Sequence, residues 1–221
     1  GPSAAVTPRW PEVGYGGVPF SALGYFVFMP NPRGSFGQGE RFTQANVKDF
    51  GYGDLRDTLS GMDLLERRFP IDKSREGITG WSYGGFMTMF AVTQTTRFKA
   101  AVAGAGISDW KSYYGENSID QWMIPFFGKS VYDDPAIYAK APPQDLADHL
   151  NALRGSALRV GLLHGTLSPI VTSERIAFVR DTFAGWGPMV PIHDAHHHLM
   201  LDQPRPFATA LRTMLTCFAE G

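Results

Sequence analysis

Three groups of side chains in this sequence could take part in covalent chemistry. The first is a serine set among glycines, Thr79-Gly80-Trp81-Ser82-Tyr83-Gly84-Gly85. The second is a run of imidazoles, His196-His197-His198, and the third is a set of carboxylates, Asp109, Glu174 and Asp194. A serine hydroxyl is a weak nucleophile until a base takes its proton, and the base needs a further group to hold its ring. Ser82 therefore requires a histidine. Adjacent side chains diverge, and no cysteine or carboxylate spacing beside the three histidines supports a metal site, so neither metal nor cofactor is expected. His149, His164 and His193 read as structural.

The glycines around Ser82 suggest a sharp strand-to-helix turn with little room beside the serine. Ser74–Thr79 can form the short strand before it, and the apolar run Phe86–Val92 the helix after it, ending near Thr95. A serine at such a turn has an exposed hydroxyl beside a helix N-terminus, where N–H groups favour a developing anion. The backbone N–H of Tyr83, immediately after Ser82, is the expected oxyanion donor.

Other segments must hold this turn in place. Tyr25–Pro30 is wholly apolar and ended by proline, the pattern of a strand covered on both faces. Asn31–Gly39 is rich in turn formers. Leu55, Leu59, Met62, Leu65 and Phe69 recur at helical spacing before Pro70. Lys99–Ala105, Leu158–His164 and Pro188–Ile192 read as strands, each followed by a loop and a helical pattern, which implies a mostly parallel sheet with helices on both faces. Ile107 to Pro143 is long and rich in aromatic residues; it reads either as a lid or pocket wall or as a satellite core.

The chain has 221 residues, suited to one domain that needs no disulfide or metal staple. With 20 Lys and Arg against 21 Asp and Glu, scattered along the chain, no basic footprint for nucleic acid exists. The single Cys217, in the last helical pattern, cannot form an internal disulfide and reads as semi-buried. No run has the length of a membrane span, and no secretion-signal layout opens the chain. The expectation is a soluble chain that engages no membrane, with the cytoplasm favoured and the compartment not established. Gly1-Pro2 reads either as native sequence or as the scar of a cleaved tag.

Asn31-Pro32-Arg33-Gly34-Ser35, Gly51-Tyr52-Gly53-Asp54, Gly80-Trp81-Ser82-Tyr83-Gly84-Gly85 and Ala103-Gly104-Ala105-Gly106-Ile107-Ser108-Asp109-Trp110 occur in that order. Over residues 7–142 they resemble the prolyl oligopeptidase family of serine peptidases, nearest its acylaminoacyl-peptidase and dipeptidyl-peptidase members. The resemblance implies an α/β-hydrolase fold cleaving short peptide amides or esters through an acyl-enzyme. It also suggests Tyr83, Trp110 and Tyr113 as walls around the acyl side of the scissile bond. Members usually carry an N-terminal β-propeller, and nothing in these residues corresponds to one.

The last third departs from that pattern. The family places its acid in a segment resembling His-Gly-x-x-Asp-x-x-Val, whereas His164-Gly165-Thr166-Leu167-Ser168-Pro169-Ile170-Val171 has serine in the slot. His197-His198-Leu199-Met200-Leu201-Asp202-Gln203-Pro204 looks more like small single-domain α/β-hydrolases of the esterase type. A mosaic of two lineages, natural or engineered, with a junction near residues 141–158, is therefore one reading of the single 1–221 domain. Both resemblances select His197 as the base, ahead of His196 and His198. Asp109 is the chosen acid because some α/β-hydrolases supply it from just beyond that strand; Glu174 and Asp194 are alternatives. The family's strand before the second oxyanion donor has no counterpart, so the sheet is expected to lack its first strands. Re-pairing of the flanking strands, repair by another copy of the chain, or a marginal fold would follow. A carboxylesterase, or a hydrolase-like scaffold without turnover, is the competing function.

Overall fold

A computed structural model of the chain describes residues 2–7, 17–117, 120–140, 158–168, 173–182, 187–196 and 199–220. Among these, four parallel strands form one sheet in the order β1-β2-β3-β4: Gly77–Trp81, Ala100–Gly104, Arg159–Gly165 and Met189–Ile192. The helices are α1 (Val18–Ala22), α2 (Glu40–Thr43), α3 (Tyr52–Arg68), α4 (Tyr83–Gln94) and α5 (Trp110–Glu116). They continue with α6 (Met123–Phe127), α7 (Pro135–Ala139), α8 (Ser173–Thr182), α9 (Leu199–Asp202) and α10 (Pro204–Glu220). Parallel strands joined by helical crossovers are what the alternating pattern of the sequence implies.

The two faces of the sheet can be read from the strands' period of two. Ile78, Ala101 and Val160 join a core with Phe86 and Phe90 of α4 and Leu55 of α3. Trp81, Val102 and Leu163 join a second core with Leu211 and Met214 of α10. Small residues in β2, Ala100-Ala101-Val102-Ala103-Gly104, let α4 lie close against it. α3 turns Leu55, Leu59 and Met62 towards the first core and ends at Phe69, directly before Pro70. Arg97 anchors that end through Asp63 (2.7 Å), Glu76 (2.7 Å) and Glu66, tying α3 to the entrance of β1.

Three sequence expectations change. Tyr25–Pro30 is not a strand, and its apolar side chains lie at the surface, with Tyr25 46% and Phe26 66% exposed. β1 pairs with β2 only, so direct re-pairing across the gap does not occur among the described residues. Without a ladder partner, an apolar run has only side-chain contacts to order it. Cys217 lies on α10 as expected but is exposed rather than semi-buried. In the aromatic segment after β2, Trp110, Met123 and Tyr138 are core at 0%, 0% and 1% exposure and Phe127 stacks on Tyr138 at 4.1 Å, whereas Tyr113 is partly exposed and Tyr132 is 84% exposed.

Candidate active site

Ser82 stands between β1 and α4 with φ 57 and ψ −115. A positive φ on a residue with a Cβ is strained, and it persists only where surrounding contacts over-determine it. Here the Ser82 N–H donates to the Gly104 carbonyl of β2 at 2.9 Å, while the Ser82 carbonyl accepts from the Phe86 N–H at 3.0 Å. The residue is thus held from the strand side and the helix side, and it is half-buried rather than enclosed. The first N–H groups of α4, Tyr83 foremost, have no intrahelical acceptor and carry the positive end of the helix dipole.

The glycines have unequal reasons. A Cβ on Gly80 would come within 2.3 Å of the Gly84 carbonyl oxygen, and one on Gly85 within 2.4 Å of the Gly104 carbonyl oxygen. A Cβ on Gly84 would meet nothing within 4 Å. The closeness of α4 to β1 therefore depends on Gly80 and its closeness to β2 on Gly85, while Gly84 is not sterically required.

Strain recurs at this end of the sheet. Ala105, directly after β2, and Asp194, two residues after β4, also have positive φ, at 44 and 55. Unusual backbone gathered at the C-terminal ends of parallel strands is characteristic of binding sites on open α/β sheets. The loops after β3 and β4 are laced together: Asp194 N–H donates to Thr166 Oγ1 at 3.2 Å, and Leu167 N–H to the Ala195 carbonyl at 2.9 Å.

The predicted site residues fare differently. Asp109 is exposed, and its Oδ1 accepts the N–H groups of Lys111 (2.7 Å) and Ser112 (3.0 Å), capping α5. Trp110 has no exposed surface and touches the Tyr83 and Tyr113 rings at centroid distances of 6.1 and 5.9 Å, so the three aromatics are contiguous. Tyr113 is partly exposed. His197 and His198 lie outside the described residues. His196 donates its N–H to Asp202 Oδ2 at 2.7 Å and brings Nδ1 to 3.5 Å from the same oxygen. Glu174 is exposed on α8, and Ser168, in the usual acid slot, is buried with its N–H on the Gly165 carbonyl at 3.3 Å. Burial above all pushes the His164 pKa down, against a backbone hydrogen bond at Gly165 and with a smaller push from neighbouring His193.

Two carboxylates had no role in the sequence reading. Asp202 is one, and its spacing six residues after His196 is a local signal that could have drawn notice. Asp54 is the other: it is 2% exposed and accepts the Tyr83 hydroxyl at 2.6 Å from 29 positions away, which no local pattern reveals.

A family model described as the prolyl oligopeptidase family matches residues 15–176. The chain belongs to that family. The match crosses residues 141–158 and stops before β4. Among curated relatives, an uncharacterized peptidase, YuxL, of Bacillus subtilis is 48% identical over 100 residues, covering 45% of this chain and 15% of its own length. Human dipeptidyl peptidase 8 is 37% identical over 95 residues, covering 42% of this chain and 11% of its own. Among solved structures, Pyrococcus horikoshii acylaminoacyl peptidase is 27% identical with a TM-score of 0.70. That alignment covers 86% of this chain and 31% of the solved one, so the chain spans about a third of its length. The fold is the α/β-hydrolase fold, represented among the described residues by four parallel strands of its sheet. No helix among the described residues is long and apolar enough to cross a membrane.

Proposed function

We propose that this prolyl oligopeptidase-family chain is a serine hydrolase that cleaves short peptide amides or esters at Ser82. The observation that carries the reading is the strained backbone of Ser82, φ 57 and ψ −115, at the start of α4. Ser82 Oγ attacks the scissile carbonyl carbon and passes its proton to His197. The oxyanion takes the Tyr83 N–H, and collapse of the adduct expels the amine or alcohol with the proton from His197. Water, deprotonated by the same imidazole, then releases the acyl group. Asp109 is the proposed orienting acid, through the carboxylate oxygen not used to cap α5. Tyr113, backed by the buried Trp110, is the proposed acyl-side wall. A solved acylaminoacyl peptidase, 27% identical to this chain, is in complex with Z-Gly-Gly-Phe-chloromethyl ketone, which favours peptide over ester substrates.

Reaction with a fluorophosphonate tests the assignment. Stoichiometric modification of Ser82, located by mass spectrometry and lost in Ser82→Ala, is the expected outcome. His197→Ala should slow it by about 10³-fold. A folded chain that stays unmodified would mean a hydrolase-like scaffold without turnover. Turnover of p-nitrophenyl esters with no detectable cleavage of any peptide p-nitroanilide would turn the reading to an esterase.

We also propose that the edge of β1 left unpaired among the described residues takes up a further strand, supplied by a second copy of the chain where no other polypeptide offers one. The exposure of Gly77 and Thr79 favours this.

A further inference from the structure

Against the side chain of Tyr83 lies a buried acid that the proposed acyl transfer does not use. Asp54 sits in the first turn of α3 with 2% of its surface exposed, and Tyr83 is 9% exposed. The Tyr83 hydroxyl donates to Asp54 Oδ2 at 2.6 Å, the geometry of a charge-assisted bond. The Tyr83 ring is clamped edge-on by Phe50 at 5.2 Å and tilted against Phe86 at 5.4 Å. Both ends of this link are anchored. Asp54 Oδ1 accepts the Leu55 N–H at 3.2 Å, and the Asp54 carbonyl accepts the Thr58 hydroxyl at 2.9 Å. The start of α3 is held in turn by Leu55 N–H on the Gly51 carbonyl at 3.1 Å, and by the Arg33–Asp57 ion pair at 2.8 Å. Tyr83 is also the residue whose N–H follows Ser82, so its side chain and its oxyanion-facing amide belong to one rigid unit.

We infer that Asp54 is a positioning residue for the oxyanion donor: by gripping the Tyr83 hydroxyl it sets where the Tyr83 N–H points beside Ser82. This rests on the reading of Ser82 as nucleophile.

The electrostatics make the grip depend on pH. Desolvation raises the Asp54 pKa from 3.8 to about 6, outweighing the opposing Tyr83 hydrogen bond. The charged groups around it are Asp49, which adds to the rise, and Arg33, whose guanidinium is committed to Asp57. Tyr83, raised well above its usual range, stays a neutral donor. A buried carboxylate that ionises near neutrality destabilises the fold it sits in, so packing alone gives no reason for an acid at this position. Above about pH 6 the bond is charge-assisted; below it the carboxyl is neutral and the grip is weaker.

The test compares the parent with Asp54→Asn, Tyr83→Phe and the double variant, reading kinact and Ki for a fluorophosphonate together with the thermal midpoint at pH 8. Each single variant should lower kinact roughly ten-fold with Ki unchanged, and the double variant should fall no further. The midpoint of Asp54→Asn should be no lower than the parent's. Unchanged kinact, or additive losses, would overturn the inference. A readout independent of turnover uses the unmutated chain: the Asp54 13Cγ and the Tyr83 amide 15N should titrate with a common midpoint near pH 6. An amide that stays still while the carboxyl titrates would also overturn it. If Ser82 takes no label at any pH, the hydrolase reading fails and the NMR coupling alone decides this one.

Discussion

Among the described residues β4 and β1 form the two edges of the same sheet, and they meet their surroundings differently. β4 has Pro191 near its centre, opposite His164 of β3, and an edge strand can carry a proline because the missing N–H would have faced no neighbour. β1, Gly77-Ile78-Thr79-Gly80-Trp81, has no proline and no charge, yet it leads into Ser82. Exposed apolar side chains also lie on the N-terminal and α3 side of the molecule: Phe26 at 66%, 6.5 Å from the Phe69 ring, itself 49% exposed. The β4 edge has a chemical device against further pairing and the β1 edge has none. The strand that leads into Ser82 therefore has the composition of an interior strand, and the strand at the far side that of an edge.

The largest expected effect sharpens the contrast at the elbow. Gly85→Ala drives a Cβ to 2.4 Å from the Gly104 carbonyl oxygen and should cost about 3 kcal/mol or more in urea denaturation. Gly84→Ala, with nothing within 4 Å, should instead gain about 0.5–1 kcal/mol from helix propensity. If the two behave alike, the tight point is not where α4 meets β2.

Next comes pH. Because the Asp54 pKa is raised in the folded state, its contribution is fully present below pH 3.8 and is lost as pH rises through about 6. The shift corresponds to about 3 kcal/mol. Asp54→Asn should remove this loss, so that the stability difference between variant and parent grows from pH 4 to pH 8. A difference that does not change with pH would show that Asp54 ionises as an ordinary surface acid.

A smaller effect addresses the edges directly. Thr79→Lys places a charge on the β1 edge and should abolish concentration-dependent association in sedimentation velocity, at a stability cost of about 1 kcal/mol from the lost Thr79 hydroxyl bond to the Val102 carbonyl. The smallest is Pro191→Val in the Thr79→Lys background. It restores an N–H to β4 and should introduce weak association that the proline had prevented. Dimerisation undiminished by Thr79→Lys would break the comparison between the edges.

Much of this molecule is legible because its signals are local. The turn at Ser82, the helical spacing of Leu55, Leu59 and Met62, and the strands around Val102, Leu162 and Val190 all follow from patterns a few residues long. Tyr25–Pro30 misleads because an apolar run specifies a strand only when a partner supplies its ladder. The aromatic segment reads equally as lid or core, since burial of Trp110 depends on Phe50 and Tyr83 arriving from elsewhere in the chain. Asp109 combines a local role as cap with a proposed catalytic one, and spacing alone does not separate the two.

Residue order by itself determined the turn chemistry: a serine whose neighbours at 80 and 85 lack side chains, followed by a helix that supplies backbone donors. The spacing of apolar residues likewise determined an alternation of strands and helices. Only tertiary structure decided that the glycine at 84 is sterically dispensable, that β1 lies at an edge of the sheet among the described residues, and that the tyrosine after Ser82 donates its hydroxyl to a carboxylate from another helix. These depend on distances between segments far apart in the chain, and a linear sequence carries no direct record of such distances.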